Sequence, residues 1–432
     1  MRRTLAVMLS IALLCVLFGC QGEQISPQLT SVPPQATPGV EPSVDAEATA
    51  EQEDLSTPTN TPDGQGAIAA TLSAVSGLSV QMLFQAMDEA GGNAVLSPQS
   101  MLSALGLLYA GMAGDAKAQL QSALALPDVL GADWLSQITK LNAAQGAVTI
   151  KAPLGVFMTD RASFAPALKS DIAPAFGAYL TNMVFGADAA AAMNVWLSEE
   201  TAGKYDAPVS ATTASSLLYL LAAFEANAAW DLPLKAGAQM DFATGAKTVK
   251  ADALTLSADL HYSEGENYEA VKLPLGNGAY SLAIFMPKEG NFAALRQQML
   301  GEQGLAKMLA SAQYAPKNIA LTMPSFKATA AYDMRNLLLD AGLGALFTIT
   351  PEGFAAMLEG DAPLPMAVSQ YIACASISLG EGGLGNAPKG QEQVSPQGDL
   401  HALKLSGRFV YALVDESTQS LLYLGVVEDP TA

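Results

Sequence analysis

Apolar positions along this chain recur at two periods, and they divide it into a helix-rich first half and a strand-rich second half. Val80, Leu83, Phe84 and Met87 fall at i, i+3, i+4 and i+7, the stripe of an amphipathic helix, and Gly91 and Gly92 end it. A second helix follows at once. The Ser97 hydroxyl can accept from a free first-turn N–H, and Pro98 suits the first helical position, where no donor is needed. Helical patterns dominate to about Leu221, after which Ser281 to Pro287 and Ile319 to Phe326 read as strands and Tyr332 to Ala341 as a helix. Phe409 to Val414 and Leu421 to Val427 are nearly continuous apolar runs joined by Asp415-Glu-Ser-Thr-Gln419, the pattern of a buried hairpin. Helices early and strands late imply an α+β fold.

The N-terminus stands outside this pattern. Arg2 and Arg3 precede an apolar run from Leu5 to Phe18 that is too short and too early for a lasting membrane span, so it reads as an export signal. Its end, Leu17-Phe-Gly-Cys20, resembles the lipobox of bacterial lipoproteins. That resemblance implies a signal over residues 1–20 and acylation of Cys20, with anchoring by lipid chains and not by a helix. Residues 21–66 hold no aromatic, Lys or Arg but many Pro, Thr, Ser and Gln and eight acids, the composition of a disordered tether. As a flexible coil it would reach roughly 35–40 Å. Residues 67–432 show no second low-complexity break and no repeat, so one large domain is the simplest reading.

The formal net charge is −20, and loss of the signal with its two arginines takes it to −22. Nucleic acid and heparin-like polyanions are therefore not expected partners. Cys15 goes with the signal and Cys20 is acylated, which leaves Cys374 alone and no intrachain disulfide.

Gly380-Glu-Gly-Gly-Leu-Gly385 satisfies G-x-G-x-x-G and follows the strand-like Ile377-Ser-Leu379, yet a phosphate site needs a helix after the glycines. Asn386 to Leu400 carries Pro388, Gly390, Pro396 and Gly398 and has no helical period. What remains is a glycine hinge followed by a long exposed segment, an arrangement that is uncommon inside compact domains and usually functional. An acid-base enzyme is not expected. The chain has two histidines, His401 in that segment and His261 in the polar turn His261-Tyr-Ser-Glu264, with no partner at metal spacing and no motif for a Ser-Lys pair. No metal and no cofactor are expected.

Asn93-Ala-Val-Leu-Ser97-Pro98-Gln-Ser100-Met101 with Gly111-Met-Ala-Gly114, and Asn194-Val-Trp196-Leu-Ser-Glu-Glu-Thr201-Ala-Gly203-Lys204, resemble two signature blocks of the serpin family. Leu218 to Ala223 with Trp230-Asp-Leu-Pro233, Pro324-Ser-Phe326-Lys, Leu337 through Gly342 to Phe347, and Phe409, Leu422, Tyr423, Gly425, Val427 and Pro430 continue the match in order. The resemblance implies helices packed on a large central mixed sheet, smaller sheets, and an exposed reactive-centre loop.

As the resemblance implies, that loop is bait for a serine protease, and the lipobox and tether extend the expectation to extracellular serine or cysteine proteases met at a bacterial envelope. The protease attacks a scissile bond, and the loop then inserts as a new strand of the large sheet, so the inhibitor acts as a monomeric suicide substrate and not as an enzyme. Glu381 matches the family's hinge glutamate and Gly383 its hinge glycine, with Gly382 between them. The spacing to Phe409 puts the scissile bond between Gln397 and Gly398, with Leu400 as an alternative bait side chain. Ser97, Ser100, Ala222, Ala373 and Trp230 fall where the family governs sheet opening, but Ala373 and Ala222 replace its usual His and Asn. Leu384 replaces a small Thr or Ser, and Gly385-Asn-Ala-Pro-Lys389 replaces an alanine run. Pro388 cannot donate to a ladder, and buried Asn386 and Glu392 would need partners, so these departures argue for the alternative of a non-inhibitory serpin used as a binding or structural module, while the loop length, Glu381, Gly383 and Trp230 keep inhibition the leading expectation.

Overall fold

The computed structural model describes residues 63–143, 148–302, 304–360, 364–388 and 398–432. The helices are α1 (Asp63–Ala90), α2 (Pro98–Ala110), α3 (Gly114–Leu124), α4 (Ala132–Asn142), α5 (Ala189–Thr201), α6 (Phe292–Leu300), α7 (Gly304–Leu309) and α8 (Arg335–Asp340). The strands are β1 (Ala94–Leu96), β2 (Thr149–Lys151), β3 (Leu154–Thr159), β4 (Ala178–Met183), β5 (Leu218–Ala229), β6 (Lys235–Ala236), β7 (Met240–Ala243), β8 (Thr248–Ala251), β9 (Ala253–Glu264), β10 (Tyr268–Leu275), β11 (Tyr280–Pro287), β12 (Ala315–Pro324), β13 (Phe326–Asp333), β14 (Val368–Gly380), β15 (Gly383–Leu384), β16 (His401–Lys404), β17 (Phe409–Asp415) and β18 (Leu421–Val427).

Two large sheets carry the architecture. One runs β13-β14-β15-β5-β3-β4, with β2 beside β5, and the other runs β1-β18-β17-β11-β10-β9-β12-β16. Buried side chains of β5 and β14, such as Phe224, Ala228 and Leu379, share an apolar cluster with Tyr411, Leu422 and Tyr423 of the second sheet. A separate cluster joins Leu102, Leu105 and Leu108 of α2 to Leu83 and Phe84 of α1 and to Leu218 and Leu220 of β5. On the opposite face of the first sheet, Met193 and Leu197 of α5 cover Leu221, Ala223 and Cys374.

Local chemistry accounts for the ends. Gly91 and Gly92 stop α1 at φ values of 67° and 82°, which carry little penalty only without a Cβ. Ser97 accepts from the Ser100 amide at 3.1 Å and Pro98 opens α2. The Asn93 amide donates to the Asp429 carbonyl, and its side-chain oxygen accepts from the Glu428 and Asp429 amides. The entry to β1 is thereby tied to the C-terminal residues.

Three expectations need revision. The α1 helix begins at Asp63, ahead of the expected boundary at Ala67. The first half contributes strands as well as helices. All six residues of β3 are buried, so it shows no alternation, and a short continuous apolar run cannot be told from a helix by period. His261 lies within β9, paired with Pro316 and Lys272, because the exposed positions of an amphipathic strand carry the polar residues that mimic a turn.

Candidate functional site: a hinge that has entered the sheet

Strands β5 and β14 are parallel and directly paired from Leu218 and Val368 up to Phe224 and Ala375. Ala222 and Ala373 face each other in that register, so the two positions that lack His and Asn meet as a small apolar pair. Above Ala375 the strands separate. The chain leaves β14 at Gly380, turns through Glu381 and Gly382, and comes back between the two strands as β15. Leu384 pairs with Leu379 on one side and Ala228 on the other, and Gly383 pairs with Gly380 and Ala229. The hinge is already a short antiparallel strand inside the sheet.

Its glycines are demanded by close approach. A Cβ on Gly383, whose φ is 141°, would lie 2.0 Å from the Ala228 carbonyl oxygen, and one on Gly382 would lie 2.1 Å from the Ala387 carbonyl oxygen. Gly385, at φ 66°, faces the Asn227 side-chain oxygen at 1.8 Å from the same notional atom. Leu384 was expected to resist entry, yet it is fully buried in the apolar cluster with Ala228 and Trp230. Space between the two sheets accommodates a large side chain there, which burial stabilises by about 2 kcal/mol.

Trp230 grips the turn. Its indole Nε1 donates to the Gly380 carbonyl at 2.9 Å, and its amide donates to the Gly382 carbonyl at 3.1 Å. The entry then stops. The Gly385 amide still donates to the Ser378 carbonyl at 2.8 Å, but the Asn386 amide donates to the Asn227 side-chain oxygen and the chain turns outward. Asn386 and Pro388 are exposed.

Other expected site residues lie apart. Gly398 is described with φ 112°, Leu400 is 40% exposed, and Gln397, Glu392, Lys389 and Cys20 fall outside the described residues. His401, expected in the loop, opens β16, which runs parallel to β12 with His401 opposite Ile319. Its Nε2 sits 2.9 Å from Glu269 Oε1, an atom that also accepts from the Tyr262 hydroxyl at 2.7 Å. The far end of the loop is thereby fastened to the second sheet. Cys374 is buried beneath α5 and burial pushes its pKa up to about 12, so the thiol is a packing group.

The second signature block has a structural role here. Asn194 clamps Val209 through both its backbone groups, at 2.8 and 3.0 Å. Trp196 stacks on Tyr179, and Gly155 makes room for its ring. Lys204 pairs with the buried Glu225 of β5 at 2.6 Å. Sequence reasoning missed Asn227 and the hydroxyl of Tyr423. A polar side chain in the apolar run of β5, and a phenol hydroxyl within the apolar run of β18, were the available signals.

The family model "Serpin (serine protease inhibitor)" matches residues 73–430. An uncharacterised serpin-like protein of Thermococcus kodakarensis is 23% identical over 100% of this chain and 99% of its own length. A serine protease inhibitor of Cyanea capillata is 23% identical over 84% of this chain and 100% of its own. Among solved structures, the native stressed conformation of an Arabidopsis serpin superposes with a TM-score of 0.74 at 18% identity, covering 86% of this chain and all of that one. With signature blocks, two packed sheets and a hinge at the head of the first sheet all in place, the chain belongs to the serpin family of serine protease inhibitors.

Proposed function

We propose that this protein inhibits an extracellular serine or cysteine protease as a suicide substrate, with the segment after Leu384 as bait and the first sheet as its destination. The observation that carries this reading is the strand Gly383–Leu384, seated between β14 and β5 and held by Trp230. A hinge already threaded at the top of the sheet has only to lengthen once the loop is cut. Each added residue gains ladder hydrogen bonds within the sheet, and this downhill step is what would drag an acyl-linked protease along. The lipobox motif and tether support placement on the extracytoplasmic face of a bacterial envelope, anchored at Cys20.

One observation favours a second reading, a serpin-fold module that does not inhibit. Continuing the β15 register would set Asn386 opposite Ala226 and Pro388 opposite Phe224. Leu384, Asn386 and Pro388 share one face, so Asn386 would enter the apolar cluster that holds Leu384, and Pro388 brings no N–H to the ladder. The deciding experiment incubates the Cys20→Ser protein with a protease panel and resolves the products on denaturing gels. A covalent band at the summed mass supports inhibition, and loop cleavage without such a band for every protease leaves the second reading.

A further inference from the structure

Just below the inserted hinge, the two strands that must part are joined by one hydroxyl. Tyr423 projects from β18 in the second sheet, is fully buried, and packs edge-on against Phe224 at 5.0 Å between ring centroids. Its Oη accepts from the Ala226 amide of β5 at 3.1 Å and lies 2.6 Å from the Ser376 carbonyl of β14. It is also 3.2 Å from the Phe224 carbonyl, so its single hydrogen goes to the nearer acceptor, Ser376. Burial pushes the phenol pKa far above its ordinary value, so the group remains a donor.

These backbone groups are the next ones an inserting strand would need. In the β15 register, residue 386 stands opposite Ala226 and residue 387 opposite Ser376, so loop backbone at those positions would bond the atoms that Tyr423 now holds. The Ala222–Ala373 pair below has no polar side chain with which to do the same. A phenylalanine at 423 would fill the same space and leave the Ala226 amide and Ser376 carbonyl without a partner, across a gap too wide for the two strands to bond each other directly.

We propose that the Tyr423 hydroxyl is a clasp between β5 and β14, a positioning residue that satisfies the open gap and sets how far the hinge enters before cleavage. The inference rests on the inhibitory reading for its purpose, but its test needs no protease. The unmodified protein and Tyr423→Phe are each incubated with a synthetic peptide copying residues 386–397 and bearing Pro388→Ala, and uptake is followed by native gel. The variant is expected to take up the peptide roughly tenfold faster, since two hydrogen bonds no longer compete with it. A merely structural hydroxyl would lower the melting temperature and leave uptake unchanged or slower, which overturns the proposal. A second measurement stands even where the variant fails to fold. In the unmodified protein the Ala226 amide is expected to resist hydrogen exchange as strongly as the paired amides of Leu220 and Leu221, and an unprotected Ala226 amide also overturns it. Faster uptake without any protease complex would remove the inhibitory reading and leave the clasp standing.

Discussion

The Trp230 indole donates to the Gly380 carbonyl at 2.9 Å while the Trp230 amide donates to the Gly382 carbonyl at 3.1 Å, so the residue that follows β5 holds both sides of the hinge turn. Trp230→Phe keeps the buried ring and removes one of these bonds. The expected cost to the inserted hinge is about 1 kcal/mol. Hydrogen exchange should report it as faster turnover of the Gly380–Leu384 amides with β3 and β5 unaffected, and unchanged hinge exchange would refute the latch.

Replacing Gly383 with alanine should evict the hinge, because the new Cβ would meet the Ala228 carbonyl oxygen at a distance real Cβ atoms do not show. Leu384→Arg should do the same by a different route, since a charge would enter an apolar cluster without a partner. Both variants are expected to expose Trp230 and shift its fluorescence to longer wavelength. Any protease complex formed by the parent should give way to plain loop cleavage.

Cleavage of the loop is expected to raise the melting temperature only modestly in the parent chain, because Asn386 and Pro388 stand next in line. The double variant Asn386→Thr, Pro388→Ala restores a side chain that tolerates a strand and a donor that completes one. Its melting temperature should rise on cleavage by at least about 10 °C more than the parent's in calorimetry, a gain of several kcal/mol for a domain of this size. An equal rise in both proteins would place the obstacle elsewhere.

Acid should weaken the link between Lys272 of β10 and the Glu416 turn. Burial tends to raise the Glu416 pKa, but hydrogen bonds from Lys272, at 2.8 Å, and from Ser281, with the Lys272 charge, outweigh it and hold it below the ordinary carboxylate value. A depressed folded-state pKa means that the stabilisation is complete above the unfolded value and is lost as pH falls through the folded one. Glu416→Gln should therefore lose about 2 kcal/mol at neutral pH and show a flatter decline of melting temperature below pH 5 than the parent. Parallel declines would exclude this pair as a source of acid sensitivity.

Much of the fold was legible because its signals are local. The stripe on α1, the Ser97-Pro98 cap, the terminal hairpin of β17 and β18 and the ordered blocks from Asn93 to Pro430 each depend on a few adjacent residues. The strand β3 was hidden because burial on both faces erases the period that distinguishes a strand. His401 read as loop because a four-residue strand owes its existence to the edge of β12, which lies far away in sequence.

At the hinge the division is sharper. Sequence alone determined that a glycine-rich turn follows a strand and that Pro388 brings no N–H to a ladder, since these follow from backbone chemistry residue by residue. Only the tertiary structure decided that Leu384 is a buried packing residue, because its apolar surroundings include Ala228 and Trp230 from a distant part of the chain as well as nearby Leu379. The same holds for Tyr423, whose hydroxyl acquires its role from an amide 197 residues away and a carbonyl 47 residues away in the chain. Burial and hydrogen-bond competition across such distances are properties of the assembled sheets, and no local pattern encodes them.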